Sequence, residues 1–203
     1  IEIVPTQEYK IKKGNKEIGF KKNSFFNKVA LNIESNNDTL NVGEDIYPLR
    51  KPYSIKINKK IEDSIIRRQS YIGLINKNRK ILYLKTNKDG DYLSTTSSIL
   101  GSYVISRDSL KPEVKPLNFS LNKDISNQKT IRLRIYDKTS GIKSYNALIN
   151  DKWALFEYEP KSNLIFHQIE DGIIKNGENN INIKVIDGVG NQTEINSKVY
   201  WSN

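Results

Sequence analysis

Almost every apolar stretch in this chain is short, rich in Ile, Val, Tyr and Phe, and closed on both sides by Asn, Asp, Gly, Lys or Pro. That punctuation belongs to strands and not to helices, so the sequence points to an all-β fold. The segment "IRLRIYDKTSGIKSY", residues 131–145, begins as a clean alternation and breaks at a polar turn. The segment "INIKVIDGVGNQT", residues 181–193, repeats the pattern about fifty residues later. Period-two counting puts Ile131, Leu133 and Ile135 on one face and Arg132, Arg134 and Tyr136 on the other. Burying each of the first three contributes about 1.5 to 3 kcal/mol. By the same rule Ile181, Ile183 and Val185 face inward, Asn182 and Lys184 face water, and Val199 and Trp201 close the last strand.

Strands are expected at 9–13, 17–20, 29–34, 53–58, 71–76, 80–86 and 102–106, and then at 131–136, 144–149, 152–158, 164–168, 181–186 and 193–200. Hairpin turns are marked at "LINKNRKILYL" and at "YLKTNKDGDYL", where Asp89-Gly90 supplies the positive φ of a tight turn. Helix is reduced to one turn at most in "GEDIYPLRKP" and in "KIEDSIIRRQS". The 203 residues suffice for one large or two small domains. At "SRDSLKPEVKPLN", Pro112 and Pro116 forbid ladder hydrogen bonds at their own positions and favour an extended connector. A boundary near residue 109 gives domains 1–108 and 109–203. Six or seven strands in about ninety residues is the spacing of an immunoglobulin-like sandwich. The expected architecture is two tandem immunoglobulin-like antiparallel β-sandwich domains.

The turn residues Asp137, Ser140, Gly141, Asp187, Gly188, Gly190 and Asn191 are the candidates for chemistry. In "DKTSGI" and "DGVGN" the aspartate can accept from main-chain amides two residues on, and glycine can adopt a backbone that residues with a Cβ avoid. Both loops leave a strand at its C-terminal end, and clustered oxygens at one pole could hold calcium. Calcium takes six to eight oxygens and Asp137 and Asp187 supply two carboxylates, so turn architecture is favoured over a metal site. No catalytic, cofactor-binding or metal-ligating residue is assigned.

Cysteine is absent, which removes disulfides, thiolate zinc sites and a cysteine nucleophile but leaves the compartment open. The lack of any methionine suits a mature form or an excised part of something longer. No apolar run of eighteen residues occurs, so no membrane span is expected. The net charge of +10 comes from 33 Lys and Arg against 23 Asp and Glu. It favours attraction to anionic surfaces, although the lysines are scattered over polar faces and turns as in an ordinary solvated surface. With no phosphate loop and no RNA-binding aromatic signature, nucleic acid is not an expected partner.

The stretch 136–201 resembles the C-terminal immunoglobulin-like module found downstream of lysostaphin-type zinc endopeptidase domains in bacterial envelope proteins. Its pattern runs D-x-x-SGI, a D-x-KW strand, an acidic turn with a later G-E, and D-x-x-GN before the final strand. Asp137, Ser140, Gly141, Ile142, Asp151, Lys152, Trp153, Gly177, Glu178, Asp187, Gly190 and Asn191 match it. "LGSYVISRDSLKPEVKP" is similar to the junction before that module through Gly101, Tyr103, Val104, Ile105, Asp108 and Pro112. "FKKNSFFNKVALNIE" is similar, more loosely, to the strand entry of the preceding sandwich, with Lys22 or Asn23 where proline is usual. The resemblance covers residues 100–203 well and the rest loosely.

It implies a periplasmic or cell-envelope location and a neighbouring peptidase domain as partner, with peptidoglycan or an anionic envelope polymer as a further contact. Zinc hydrolysis of that type needs two His and an Asp as ligands, plus a further His beside the bound water. This chain has one histidine, His167, so the endopeptidase would lie N-terminal to Ile1. The function expected is a non-catalytic accessory region of a peptidoglycan endopeptidase; the alternative is a stand-alone glycan-binding or adhesion module.

His167 in "NLIFHQIED" lacks a nucleophile-elbow G-x-S-x-G anywhere in the chain, and a surface or half-buried structural role is expected. In "KWALFEY" the alternation puts Trp153 and Leu155 on one face and Ala154, Phe156 and Tyr158 on the other. Both faces carry apolar mass, so the segment reads as a core strand with Trp153 buried, and not as a sugar platform.

Overall fold

The computed structural model describes residues 1–203. Two compact units divide the chain, Ile1–Asp108 and Ser109–Asn203. Both are built almost entirely of antiparallel strands, and each encloses its own apolar core between two sheets.

In the first unit one sheet has the order Asn87–Asp89, Tyr92–Ser97, Tyr53–Asn58, Lys16–Phe20, Tyr9–Lys13. The other runs Ile33–Ser35, Thr39–Val42, Gly101–Arg107, Ser70–Ile75, Ile81–Tyr83. A small pair, Glu2–Ile3 with Val29–Ala30, lies outside them. In Tyr53–Asn58 the residues Tyr53, Ile55 and Ile57 are buried while Ser54 and Asn58 are exposed. Alternation of this kind fixes the strand's register, because a slip of one residue would carry the apolar set to water.

The turn at Asp89-Gly90 forms as expected, with Gly90 at φ +51° and Asp89 paired with Tyr92. The expected 29–34 strand is two short pieces, Val29–Ala30 and Ile33–Ser35, in different sheets. "KIEDSIIRRQS" does hold a short helix, Ser64–Gln69, started by Asp63 Oδ1 accepting from the amides of Ile65 (2.7 Å) and Ile66 (2.9 Å). "GEDIYPLRKP" forms no helix, only turns and bends with an isolated antiparallel bridge from Leu49 to Phe25. Of the junction residues, Tyr103 is in the core, and buried Asp108 donates its amide to the Gln69 carbonyl at 3.0 Å.

Tyr53 and Tyr103 make the one buried phenol pair of this unit. Tyr53 Oη lies 2.8 Å from Tyr103 Oη and 3.0 Å from the Ile99 carbonyl, and Tyr103 Oη lies 2.8 Å from Ser97 Oγ. The rings meet edge to face, with centroids 6.2 Å apart. Burial above all, then the neighbouring Tyr103, pushes the Tyr53 phenol far above its ordinary value. Burial pushes Tyr103 up as well, and its bonds to Ser97 and Tyr53 pull it partly back.

In the second unit the sheets are Glu113–Pro116, Thr130–Tyr136, Leu164–Gln168, Glu157–Glu159 and Lys123–Asp124, Gln192–Trp201, Gly177–Asp187, Ile142–Ile149, Lys152–Trp153. The only parallel pairing is Lys123–Asp124 on Gln192–Trp201. Ile131, Leu133, Ile135, Ile183 and Val185 are at 0% exposure, with Ile181 and Val199 at 1%. Trp201 is only half-buried and packs at the margin of this core.

The proline segment departs from the connector reading. Glu113–Pro116 is an edge strand paired with Tyr136–Leu133. Pro116 costs the ladder little there, because an edge strand needs N–H donors on one side only. The ladder resumes at once, with Leu117 donating its amide to the Arg132 carbonyl at 2.9 Å.

The expected 152–158 strand is also divided. Lys152–Trp153 ends one sheet, the chain crosses with Ala154 and Phe156 in the core, and Glu157–Glu159 begins in the other sheet.

Candidate functional site

The loops 137–141 and 187–191 come together because Ile142 is the cross-strand partner of Asp187. Gly188 donates its amide to the Gly141 carbonyl at 2.9 Å, which ties one loop to the other. Asp137 Oδ1 accepts from the amides of Thr139 (3.0 Å), Ser140 (2.7 Å) and Gly141 (2.8 Å). Asp187 Oδ1 repeats the arrangement with Val189 (3.0 Å), Gly190 (2.7 Å) and Asn191 (2.8 Å). Asp187 Oδ2 takes the Asn191 side-chain amide at 2.7 Å. Gly141 sits at φ +72° and Gly190 at φ +92°, where a residue with a Cβ is strained.

Each carboxylate therefore stands where a helical turn's carbonyl would, collecting three successive N–H groups that the bend has freed. Asn191 also clamps the start of this unit, donating from Nδ2 to the Leu110 carbonyl at 2.8 Å, and Thr193 Oγ1 reaches the Pro112 carbonyl at 2.5 Å. Three of the four carboxylate oxygens, Oδ1 of Asp137 and both of Asp187, are engaged in holding the loops, and the two carboxylates lie within 4.8 Å of each other. The sequence signal for this was the spacing itself, aspartate followed three or four residues later by glycine or asparagine.

His167 is more buried than expected, at 1% exposure. Its alternation partner Ile165 is in the core, and the strand delivers His167 to the same side. Nδ1 lies 2.9 Å from the Leu155 carbonyl, so the tautomer that donates from Nδ1 satisfies that carbonyl, while Nε2 is buried without a hydrogen-bond partner. The ring stacks on Phe156 with centroids 5.3 Å apart, and Asp171 Oδ2 is 3.7 Å from Nδ1, beyond hydrogen-bond range. Leu155 and His167 are thus joined across the crossing segment, which makes the histidine a packing residue.

Trp153 reverses the core expectation: it is 63% exposed. The cause is the turn before it. Asn150 and Asp151 both have positive φ, +52° and +62°, as a two-residue hairpin of the primed type requires. That turn pairs Ile149 with Lys152 and Leu148 with Trp153. Ala147 and Ile149 point into the core, so Leu148 and its partner Trp153 point out. Leu155 and Tyr158 are also exposed, at 50% and 39%, while Ala154 and Phe156 fill the core. Tyr145 is half-buried and binds the Phe156 carbonyl through its hydroxyl at 2.7 Å.

On the outer face of the same sheet a groove of about 600 Å³ is lined by Leu121, Leu148, Asn182, Glu194, Asn196 and Lys198 among others. Asn182 Nδ2 lies 2.5 Å from Glu194 Oε1 and 2.6 Å from Asn196 Oδ1.

Comparison with known proteins finds no matching family model and no matching curated protein. Among solved structures the chain is similar to the fibronectin(III)-like modules of Clostridium thermocellum CbhA, with 9% identity and a TM-score of 0.36 over 85% of this chain and 94% of that one. The β-sandwich assignment rests on the sheets themselves, and the resemblance to the endopeptidase module rests on the matched sequence residues alone.

Proposed function

We propose that this chain is a non-catalytic accessory region of a bacterial envelope peptidoglycan endopeptidase. It would position or stabilise a neighbouring peptidase domain, or contact the cell wall, from a periplasmic or cell-envelope location. The observation that carries the non-catalytic reading is the use of Asp137 and Asp187: Oδ1 of each is engaged by three amides of its own loop, and Oδ2 of Asp187 by the Asn191 side chain. The link to a peptidase is supported by the sequence match over residues 100–203, and contact with anionic wall polymers by the net charge of +10. A second reading, a stand-alone glycan-binding or adhesion module, is favoured by the exposure of Trp153.

The purified chain incubated with purified peptidoglycan at low and high salt separates these. The accessory reading expects sedimentation with the wall that weakens as salt rises, and no release of soluble muropeptides. Muropeptide release by this polypeptide unaided would overturn it. Sedimentation that survives salt and drops in Trp153→Ala would favour the second reading. The coding sequence flanking this chain supplies an independent check, since an H-x-H motif with an earlier His and Asp would identify the peptidase partner.

A further inference from the structure

The outer face of the sheet that ends in Lys152–Trp153 carries an ordered row across four strands. Register places Trp153 beside Leu148, Leu148 beside Asn182, and Asn182 beside Asn196. Cross-strand partners share a face, so the row spans three strand spacings, roughly 14 Å. The exposed indole stands at one end of this row, next to the groove, and Leu121, 67% exposed, lines the groove itself.

Two features decide what such a floor suits. The first is charge. Against a chain of net +10, the charged residues lining the groove are Asp151, Glu194 and Lys198, and Lys198 is already paired with Glu178 at 2.8 Å. The groove therefore lacks the positive excess of the chain as a whole, and its complement is a neutral polar ligand. The second is the carboxamides. Asn182 is held by Glu194 and Asn196, so its amide is oriented before any ligand arrives. With both hydrogens of Asn182 Nδ2 given to Glu194 and Asn196, the pair presents Asn182 Oδ1 as acceptor and Asn196 Nδ2 as donor, which together match the N–H and C=O of an acetamido group. An indole face at the margin offers an apolar plane against which the C–H face of a pyranose can lie.

We propose that this face binds a β-linked oligosaccharide of N-acetylhexosamines, with one sugar ring on Trp153 and acetamido and hydroxyl groups on Asn182 and Asn196. The site rests on the glycan-binding reading and deepens it, and it does not depend on which hydrolase stands beside the chain.

The test is titration of the full chain with the hexasaccharide of N-acetylglucosamine, followed by calorimetry and by tryptophan fluorescence, with cellohexaose as the probe lacking acetamido groups. Saturable binding to the N-acetylated probe is expected, with Trp153→Ala weakening it at least about tenfold, a loss worth about 1.4 kcal/mol. Asn196→Ala weakens it by a smaller factor, and Trp201→Phe leaves it unchanged. Because Trp153 is solvent-exposed, its variant should keep the wild-type melting curve. If it does not, Asn196→Ala carries the test. No saturable binding, wild-type affinity in both Trp153→Ala and Asn196→Ala, or tighter binding of cellohexaose would each overturn the site. Failure here leaves the accessory reading intact if the chain still sediments with peptidoglycan in a salt-dependent way; muropeptide release would remove that reading and leave this one.

Discussion

Asp187→Ala is expected to destabilise the second unit by about 3–5 kcal/mol. Asp187 is completely buried, and its carboxylate is the acceptor for three main-chain amides and one side-chain amide. Alanine would take this acceptor from all four donors. The Gly190 amide keeps the Asp187 carbonyl at 3.2 Å and Asn191 Nδ2 the Leu110 carbonyl at 2.8 Å. The buried amides of Val189 and Asn191 lose the carboxylate outright, and each unsatisfied buried donor costs roughly 1–3 kcal/mol before the loop relaxes. Relaxation is limited by the strand pairing on both sides of the loop.

Asp187→Asn separates the charge from the geometry. Its carbonyl oxygen can still face the three backbone amides, but its NH₂ would confront the Asn191 side-chain amide, donor against donor, so a smaller loss of about 1–3 kcal/mol is expected. Both tryptophans, Trp153 and Trp201, lie in this unit, so urea unfolding followed by tryptophan fluorescence reads it selectively. An Asp187→Ala variant as stable as the parent chain would show that the carboxylate does not hold the loop.

The first unit is expected to lose stability steeply in alkali, and Tyr53→Phe to blunt that loss. An unfolded tyrosine titrates near about 10. The folded Tyr53 phenol is pushed well above that, chiefly by burial, and Tyr103 is raised in the same direction. A raised folded value means that the stabilisation is fully present below about pH 10 and is lost as pH climbs from there through the folded value. Above about pH 10 each such phenol removes about 1.4 kcal/mol per pH unit, or roughly 2 kcal/mol at pH 11.5.

Spectrophotometric titration of the 11 tyrosines measures this directly. Tyr53 should ionise only as its unit unfolds, giving a late and cooperative phase. Tyr53→Phe gives up a buried hydrogen bond worth about 1 kcal/mol at neutral pH, yet should lose correspondingly less between pH 8 and 11.5. An unchanged alkaline slope in that variant would contradict the role given to this phenol.

How much of this was legible beforehand depended on whether local pattern or turn geometry set the answer. The alternation at 131–136 and 181–186 named the core correctly, because a half-buried strand writes its two faces into the sequence. The loop aspartates were legible too, since the spacing from Asp to Gly is itself the device. Trp153 was misjudged because a run with apolar mass on both faces says nothing of which face is inward. The Asn150-Asp151 turn fixes that, and the turn's register is a tertiary fact only weakly written in residue type. The 113–116 strand was hidden by its own proline, which reads as a breaker unless the strand is known to be an edge. His167 was placed too near the surface because the crossing of 154–156 over it, which supplies the Leu155 carbonyl and the Phe156 ring, joins two sheets that sequence alone leaves apart.

Amide hydrogen exchange of the intact chain in EDTA addresses most directly whether the loop carboxylates serve the backbone. The amides of Ser140, Gly141, Gly190 and Asn191 should be protected there as strongly as neighbouring strand amides, with calcium adding nothing, because Asp137 and Asp187 already accept from them. Free exchange of those four amides in EDTA, with protection appearing only on addition of a divalent cation, would mean that the two aspartates are ligands first and loop supports second.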